Sequence, residues 1–209
     1  MDQFTTLKQS LRKLPADFYI RKATAVAKDL LGKIIVHQAG KVFYSGMITE
    51  VEAYRQNDEA SHSYRGISKR NRVMFQEGGV IYVYLIYGMY DCMNVVTGCE
   101  GTGEAVLIRS IEPVTGIKQM AANRGLKNLS MDSALRGLTD GPGKVCQAMK
   151  VNRKHNGLNL MGEKIFIAES GLFSGRMKIG RSERIGIRKG THLEWRYFIR
   201  DNQFVSKHK

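Results

Sequence analysis

Two acidic side chains and a tyrosine alternate along one short stretch of the sequence. Residues 48–54 read Ile-Thr-Glu-Val-Glu-Ala-Tyr. Because side chains on a β-strand alternate between its two faces, Glu50, Glu52 and Tyr54 would share one face, with the two carboxylates roughly 6 to 7 Å apart. This spacing suits an acid and a base that act on opposite sides of a sugar. It equally suits the charged solvent face of an ordinary strand.

A second stretch, residues 81–90, is rich in tyrosine. Tyr82 and Tyr84 would share one face of a strand, and Tyr87 lies beside Gly88, where a turn is predicted. Aromatic ladders of this kind often pack within a sheet. On a strongly basic protein they can also stack on unpaired bases, at about 1 to 3 kcal/mol per base. An aromatic side chain at a turn can fill the gap that a displaced base leaves.

Arg109 ends the apolar run Ala-Val-Leu-Ile over residues 105–108. A charge inside a sheet is costly unless a carboxylate meets it. Glu112 is close in sequence and could be the partner in a purely structural ion pair. A guanidinium beside Glu52 could instead orient a water molecule for attack. The residues alone leave both interpretations open.

The charge of the chain predicts a polyanionic partner. Its 209 residues include 33 Lys and Arg against 19 Asp and Glu, a net charge of +14, which favours nucleic acid as that partner. Ten of these cations lie within residues 176–209, and others lie in the long polar segment 55–72, which also contains His62. A solvated basic surface would explain both clusters, and so would a track along a phosphate backbone.

Other classes of protein are disfavoured by the composition. No run of apolar residues is long enough to span a membrane and no signal segment is apparent, so we expect an intracellular protein without membrane contact. Cys92, Cys99 and Cys146 contain no CxxC pair, which argues against a disulfide framework or a zinc ribbon. Cys92 and Cys146 have apolar neighbours and are expected to pack.

The pattern of apolar residues predicts an α+β protein: a single mixed domain over residues 1–209 with a mainly antiparallel sheet and flanking helices. Residues 1–15 are expected to be peripheral or partly disordered. The predicted elements are a helix over 16–31 closed by Gly32, a hairpin of strands 33–37 and 41–53 around residues 38–40, strands over 80–86, 104–111, 164–168, 177–187 and 195–205, and helices from Val114 through the hundred-and-forties.

Taken in order, seven segments resemble the alkyladenine (3-methyladenine) DNA glycosylase family. They are TEVEAY (49–54), DEASHS (58–63), RNRVMF (70–75), YVYLIYGMYDCMN (82–94), AVLIRSIEP (105–113), LTDGPGK (138–144) and RIGI (184–187). The resemblance implies a curved antiparallel sheet that carries the active site. It also implies a monofunctional enzyme of base excision repair. Such an enzyme flips an alkylated purine, 3-methyladenine above all, out of duplex DNA, hydrolyses its N-glycosidic bond and leaves an abasic site.

The resemblance also assigns roles by matched position. Glu52 would be the general base that deprotonates water, Arg109 would help to hold that water, and Glu50 would support them. Because no lysine nucleophile is matched, strand cleavage is not expected. The implied mechanism needs no metal and no cofactor, and a monomer suits access to a duplex.

The aromatic residues receive roles in the same way. Tyr54, His62 and Tyr84 match pocket residues that sandwich the flipped base, and Tyr82 matches a tyrosine that braces the histidine. Tyr87 matches the residue that inserts into the duplex.

Two further positions bear on specificity and affinity. Asn94 matches an asparagine that would clash with the 2-amino group of guanine. Asp91 departs from the family pattern and places an acid beside the tyrosine turn, where it could weaken contact with phosphate.

Two other functions fit parts of the same pattern. A nucleic-acid-binding domain without catalysis would explain the charge and the tyrosines, and would leave Glu52 and Arg109 as an ion pair. A glycoside hydrolase acting on an acidic polysaccharide would explain Glu50 and Glu52. Release of a free base distinguishes the glycosylase from both.

Overall fold

The computed structural model describes residues 9–126, 132–171 and 177–206, which form one mixed α+β domain, as predicted. The helices and strands of the described residues are, in chain order, β1 (Leu11–Lys13), α1 (Ala16–Tyr19), α2 (Ala23–Leu30), β2 (Ile34–Ala39), β3 (Val42–Tyr54), β4 (Ile81–Ile86), β5 (Tyr90–Thr97), β6 (Glu104–Thr115), α3 (Ile117–Asn123), α4 (Asp132–Arg136), α5 (Pro142–Ala148), β7 (Ile165–Ser170), β8 (Ile179–Ser182) and β9 (Arg196–Ile199). Residues 1–8 of the segment expected at the periphery lie outside the described residues, and β1 pairs with β7 at one end of the sheet.

The nine strands form one antiparallel sheet in the order β1-β7-β2-β3-β6-β5-β4, with β9 pairing both β3 and β8. The long strand β3 is its centre. One edge of β3 pairs with β6, whereas the other pairs with β2 over residues 42–47 and with β9 over residues 50–52. The register between β3 and β6 shifts near Glu50, and such bulges bend a strand. The acidic stretch therefore lies where β3 bends and exchanges one partner strand for another.

The main core lies between the sheet and its helices. The helices α2 and α5 pack against β5 and β6, and Val26 and Leu30 of α2 are completely buried. Alternation along β4 divides its side chains, because Val83 joins the main core while Tyr82 packs in a second cluster with Val73 and Val96. The predicted tyrosine face therefore lies away from the main core.

The predicted helix over 16–31 is wrong in its middle. The chain forms α1 and α2 with a break over residues 20–22, where Lys22 has a non-helical ψ of 138°. The carbonyl of Tyr19 accepts a hydrogen bond from Gly98 N at 2.9 Å, and so it serves the tertiary fold instead of the next helical turn. The side chain of Glu104 then accepts from the free N–H of Ala23 at 2.8 Å.

The strands predicted over 33–37, 41–53 and 80–86 are confirmed to within one or two residues. The strand predicted over 104–111 continues as β6 to Thr115, where a helix was expected from Val114, and the predictions missed β1 and β5. The polar residues Asp91 and Asn94 obscure the alternation of β5. The strand predicted over 177–187 is confirmed only for β8, and the one predicted over 195–205 only for β9. After each of these short strands the chain turns away to bind acidic side chains of the site. Cys92 and Cys146 are buried, as predicted.

Candidate active site

All eight side chains predicted for the site line one cavity of about 850 Å³. They are Glu52, Tyr54, His62, Tyr82, Tyr84, Tyr87, Asn94 and Arg109. They come from β3, β4, β5, β6, the turn between β4 and β5 and the loop after β3. In the described part of the chain, no helix is long and apolar enough to cross a membrane.

Glu52 is held by two hydrogen bonds and an ion pair. Its Oε1 accepts from Ile185 N at 2.7 Å and lies 3.1 Å from Arg109 Nη1, while its Oε2 accepts from the hydroxyl of Tyr54 at 2.7 Å. Glu52 is completely buried, although it lines the cavity. The interpretation of residues 50–54 as a solvated face is therefore wrong. Burial, followed by the charge of Glu52, raises the pKa of Tyr54 well above its ordinary value.

Behind this carboxylate lies a second one, Glu50, which is also completely buried. Its Oε1 accepts from Arg109 Nε at 2.9 Å and from Arg196 Nε at 2.6 Å. Burial alone would raise the pKa of Glu50, but these guanidinium groups and the hydrogen bond from Ser206 lower it below its ordinary value. Two carboxylates and two guanidinium groups thus form a neutral buried network.

The suggestion that Glu112, which is close in sequence, could be the partner of Arg109 is wrong. Glu112 accepts a hydrogen bond from the amide of Asn202 at 2.9 Å. Burial alone would lower the pKa of Arg109, but the charges of Glu52 and Glu50 raise it above its ordinary value. Arg109 therefore joins the two carboxylates as a permanent cation.

Another part of the cavity lining is aromatic. His62 Nδ1 lies 3.0 Å from the hydroxyl of Tyr82, and the His62 ring meets the Tyr84 ring edge to face with 4.5 Å between centroids. The rings of Tyr82 and Tyr84 lie 5.5 Å apart. Tyr82 is thus both a packed residue and a brace for His62. The guanidinium of Arg184 stacks on the ring of Tyr54 at 4.7 Å.

Asn94 forms part of the cavity from β5, opposite Tyr82 in the register. Its Nδ2 donates to the carbonyl of Tyr82 at 3.1 Å, and the side chain is buried. Cys92, two residues earlier, also lines the cavity. Burial raises the pKa of its thiol to about 11, so this wall of the cavity is uncharged at neutral pH.

Tyr87 projects from the tip of the β4–β5 hairpin. Tyr87 and Gly88 both have positive φ angles, 52° and 71°, and Met89 N donates to Ile86 O at 3.2 Å. A tyrosine rarely adopts this conformation, which is typical of tight hairpin turns. Its side chain is 77% exposed. Asp91 beside this turn pairs with Arg153 at 3.3 Å, so its charge is compensated.

A loop after β8 closes the cavity at Glu52. Arg184 is buried in an ion pair with Asp58 and donates to Ala53 O at 3.1 Å, which fixes the chain just before Ile185. Arg188 and Lys189, further along the loop, line the cavity. The interpretation of the basic segment as a solvated surface or a phosphate track is therefore wrong for Arg184 and Arg196, because buried carboxylates hold both of them.

Comparison with known protein families agrees with this arrangement. The family model for methylpurine-DNA glycosylase matches residues 17–203. The chain belongs to this family. A relative from Chlorobium phaeobacteroides, described as a 3-methyladenine DNA glycosylase, is 44% identical over 201 residues, which cover 95% of this chain and 98% of the relative. A relative of the same description from Methanoculleus marisnigri is 44% identical over 196 residues, 93% of this chain and 98% of its own.

Membership confirms the resemblance found in the sequence. This methylpurine-DNA glycosylase is a DNA repair enzyme, a hydrolase that cleaves N-glycosyl bonds in DNA. Three contacts of its site were missed in the sequence: Ile185 N on Glu52, and Arg196 and Ser206 on Glu50. The RIGI segment was noticed only through the resemblance, and nothing in the sequence indicated that its backbone binds a carboxylate.

We expect His62 of this glycosylase to stay neutral down to about pH 4. The residue is exposed toward the cavity, but partial burial of its ring and the charge of Arg70 lower its pKa from 6.5 to about 4. The unfolded chain takes up this proton near pH 6.5, so His62 lowers the free energy of unfolding as the pH falls from about 6.5 to about 4. Histidine ring NMR across this range measures the midpoint directly. A midpoint at or above 6.5 would contradict the prediction.

Proposed function

We propose that the protein excises alkylated purines, with 3-methyladenine as the main substrate, from duplex DNA by means of a water that Glu52 deprotonates. The observation that carries the proposal is the placement of Glu52, a buried carboxylate held by two hydrogen bonds and an ion pair in the same cavity as His62, Tyr82 and Tyr84. The descriptions of the relatives support the substrate.

The hydrogen bonds of Glu52 support its role as the base. A carboxylate offers about four acceptor positions. Hydrogen bonds from Ile185 N and the Tyr54 hydroxyl occupy two of them, and Arg109 Nη1 forms an ion pair with Oε1 at 3.1 Å. A position that no hydrogen bond occupies can accept from a water molecule in the cavity. Arg109, which keeps its charge, would hold that water from a second side.

The proposed reaction is a hydrolysis at the sugar carbon that carries the base. The water oxygen bonds to C1′ of the deoxyribose while its proton passes to Glu52, and the electron pair of the C1′–N bond leaves with the base. Positive charge develops on the sugar in the transition state, and a nearby carboxylate stabilises it. An alkylated purine already carries positive charge on its ring, so the departing electron pair neutralises it.

The aromatic part of the cavity suits an electron-poor ring. We propose that the flipped base lies among Tyr54, His62 and Tyr84. Burial raises the pKa of Tyr84 and, together with Arg70, lowers that of His62, so both side chains are neutral at physiological pH. Neutral aromatic faces attract a cationic ring, whereas a protonated histidine would repel it. Asn94, fixed by its bond to Tyr82 O, would meet the 2-amino group of a normal guanine.

Release of base from methylated duplex DNA tests the proposal. Chromatography should identify free 3-methyladenine, and the DNA strand should remain intact until alkali cleaves it at the abasic site. Salt-dependent binding to the duplex without release of any base would overturn the proposal and favour a binding domain. Release of sugar from an acidic polysaccharide would favour a glycoside hydrolase.

We expect Tyr87→Ala to weaken binding to lesion-containing duplex DNA roughly tenfold, because one stacking contact is worth about 1 to 3 kcal/mol. Alanine keeps a Cβ at the same positive φ, so the turn retains its strain and only the ring is lost. Affinities are measured at one salt concentration, since phosphate contacts dominate otherwise.

Two control variants accompany this measurement. Tyr87→Phe keeps the ring and should bind like the parent protein. Tyr64→Ala removes another exposed tyrosine, 45% accessible, which lies outside the cavity lining, and it should have little effect. Equal affinity of Tyr87→Ala and the parent would count against an inserting role.

A further inference from the structure

Glu50 does not line the cavity itself, but it binds Arg109, which does. Glu52 lines the cavity, whereas Glu50 lies completely buried behind it. Arg109 connects the two, with Nε 2.9 Å from Glu50 and Nη1 3.1 Å from Glu52. Because a guanidinium is planar and rigid, any displacement of Glu50 moves the end of Arg109 that faces Glu52.

Ser206 binds both oxygens of Glu50. Its backbone N donates to Oε2 at 2.7 Å and its hydroxyl donates to Oε1 at 2.7 Å. Arg196 ties the same residue from the other side, since its Nη2 donates to Ser206 O at 3.3 Å while its Nε donates to Glu50. Ser206 is thus the one residue that holds Glu50 by two of its own donors among the hydrogen bonds of the described residues.

The segment that carries Ser206 is itself fixed. Asp201 has a positive φ of 61° and turns the chain after β9. Asn202 then donates to Glu112 at 2.9 Å and accepts from Phe204 N at 2.9 Å, and the ring of Phe204 is buried. This turn brings Ser206 into contact with Glu50, although the two residues are 156 positions apart in the sequence.

We propose that Ser206 is a positioning residue of the excision reaction, which acts through Glu50 and Arg109 on Glu52. The inference rests on the proposed function of Glu52. Without its hydroxyl, Glu50 Oε1 keeps only the two arginines as donors, and the carboxylate shifts toward them. Catalytic rates are sensitive to displacements of about 1 Å, whereas capture of the flipped base depends on the aromatic residues of the cavity.

The test compares Ser206→Ala with the parent in single-turnover excision of 3-methyladenine from duplex DNA. The maximal rate should fall roughly tenfold, as expected for loss of a hydrogen bond to a charged group. The protein concentration that gives half of the maximal rate should stay the same. Loss of the donor also raises the pKa of Glu50, so the acidic limb of the rate profile should move to higher pH. Ser206→Thr, which retains the hydroxyl, should restore both.

Ser45→Ala is the matched control. Ser45 is a completely buried serine on β3 whose hydroxyl lies 2.8 Å from that of Thr115, away from the Glu50 network. A Ser206→Ala rate equal to that of Ser45→Ala, or a change confined to the half-saturating concentration, would overturn the inference. Glu52→Gln is assayed alongside: if it retains activity, the proposed role of Glu52, on which the inference rests, fails. If it is inactive while Ser206→Ala is normal, only the role of Ser206 fails.

Discussion

Glu52→Gln should lower the single-turnover excision rate by about 100-fold to 10,000-fold, the usual contribution of a general base. Glutamine preserves the shape of the side chain. Its oxygen can still accept from Ile185 N and lie near Arg109, and its NH2 group can donate to the hydroxyl of Tyr54, which then acts as an acceptor. What disappears is the position that takes a proton from water. Affinity for lesion-containing duplex should survive.

Glu169→Gln provides the matched control for this experiment. Glu169 lies on β7, where its exposed carboxylate pairs with Lys33. The substitution changes the net charge of the protein by the same amount, and so it reproduces any gain in attraction to the DNA phosphates. Its excision rate should equal that of the parent. Near-normal excision by Glu52→Gln would refute the assignment of the base, and the release of free base would then need another explanation.

The contact between Glu52 and Tyr54 could be predicted because it depends on a short-range rule. Glu52 and Tyr54 lie two residues apart on one strand, and a period of two brings them together. In the register of β3 with β6, Glu52 lies opposite Leu107, two residues from Arg109. The isolated charge on an apolar strand indicated a buried partner. The choice between Glu112 and Glu52 needed the register, which the sequence pattern does not specify.

The loop after β8 could not be predicted from its pattern. Ile185 and Ile187 alternate with Gly186 and so imitate a strand. In the structure, the backbone N–H of Ile185 binds Glu52 instead of a neighbouring strand. A backbone donor has no signature in the sequence, since every residue except proline provides one.

Arg184 and Arg196 were missed for a related reason. Both belong to a basic segment, and an arginine is exposed by default unless a carboxylate meets it. Their partners, Asp58 and Glu50, lie 126 and 146 residues earlier. Pairing over such distances follows from the folded sheet, so only the tertiary structure separates these two cations from those available to DNA.

Asp58→Ala should destabilise the protein by about 3 to 5 kcal/mol, because it leaves a buried guanidinium without its counter-ion. The side chains of Asp58 and Arg184 are both completely inaccessible, and the pair is bidentate. The carbonyl groups of Ala53 and Gly190 also accept from Arg184, but they cannot neutralise its charge. Chemical denaturation with the free energy of unfolding as the readout measures the loss.

Asp29→Ala is the control for the same change of residue. Asp29 pairs with Arg21 at 2.8 Å, and both side chains are substantially exposed, so its loss should cost only about 0 to 1 kcal/mol. The double variant Asp58→Ala with Arg184→Met should be more stable than Asp58→Ala alone, since it removes the stranded charge as well. Equal stability of Asp58→Ala and Asp29→Ala would show that water reaches Arg184.

The same substitution should lower excision more than its effect on folding explains. Arg184 immediately precedes Ile185, and its bond to Ala53 O holds the loop against β3. When the ion pair with Asp58 is lost, Ile185 N no longer keeps its hydrogen bond to Glu52 Oε1. The carboxylate of Glu52 is then held less firmly in its orientation. Under conditions where Asp58→Ala is fully folded, its single-turnover rate should therefore fall while Asp29→Ala keeps the parent rate. A folded Asp58→Ala with normal excision would confine this buried pair to stability alone.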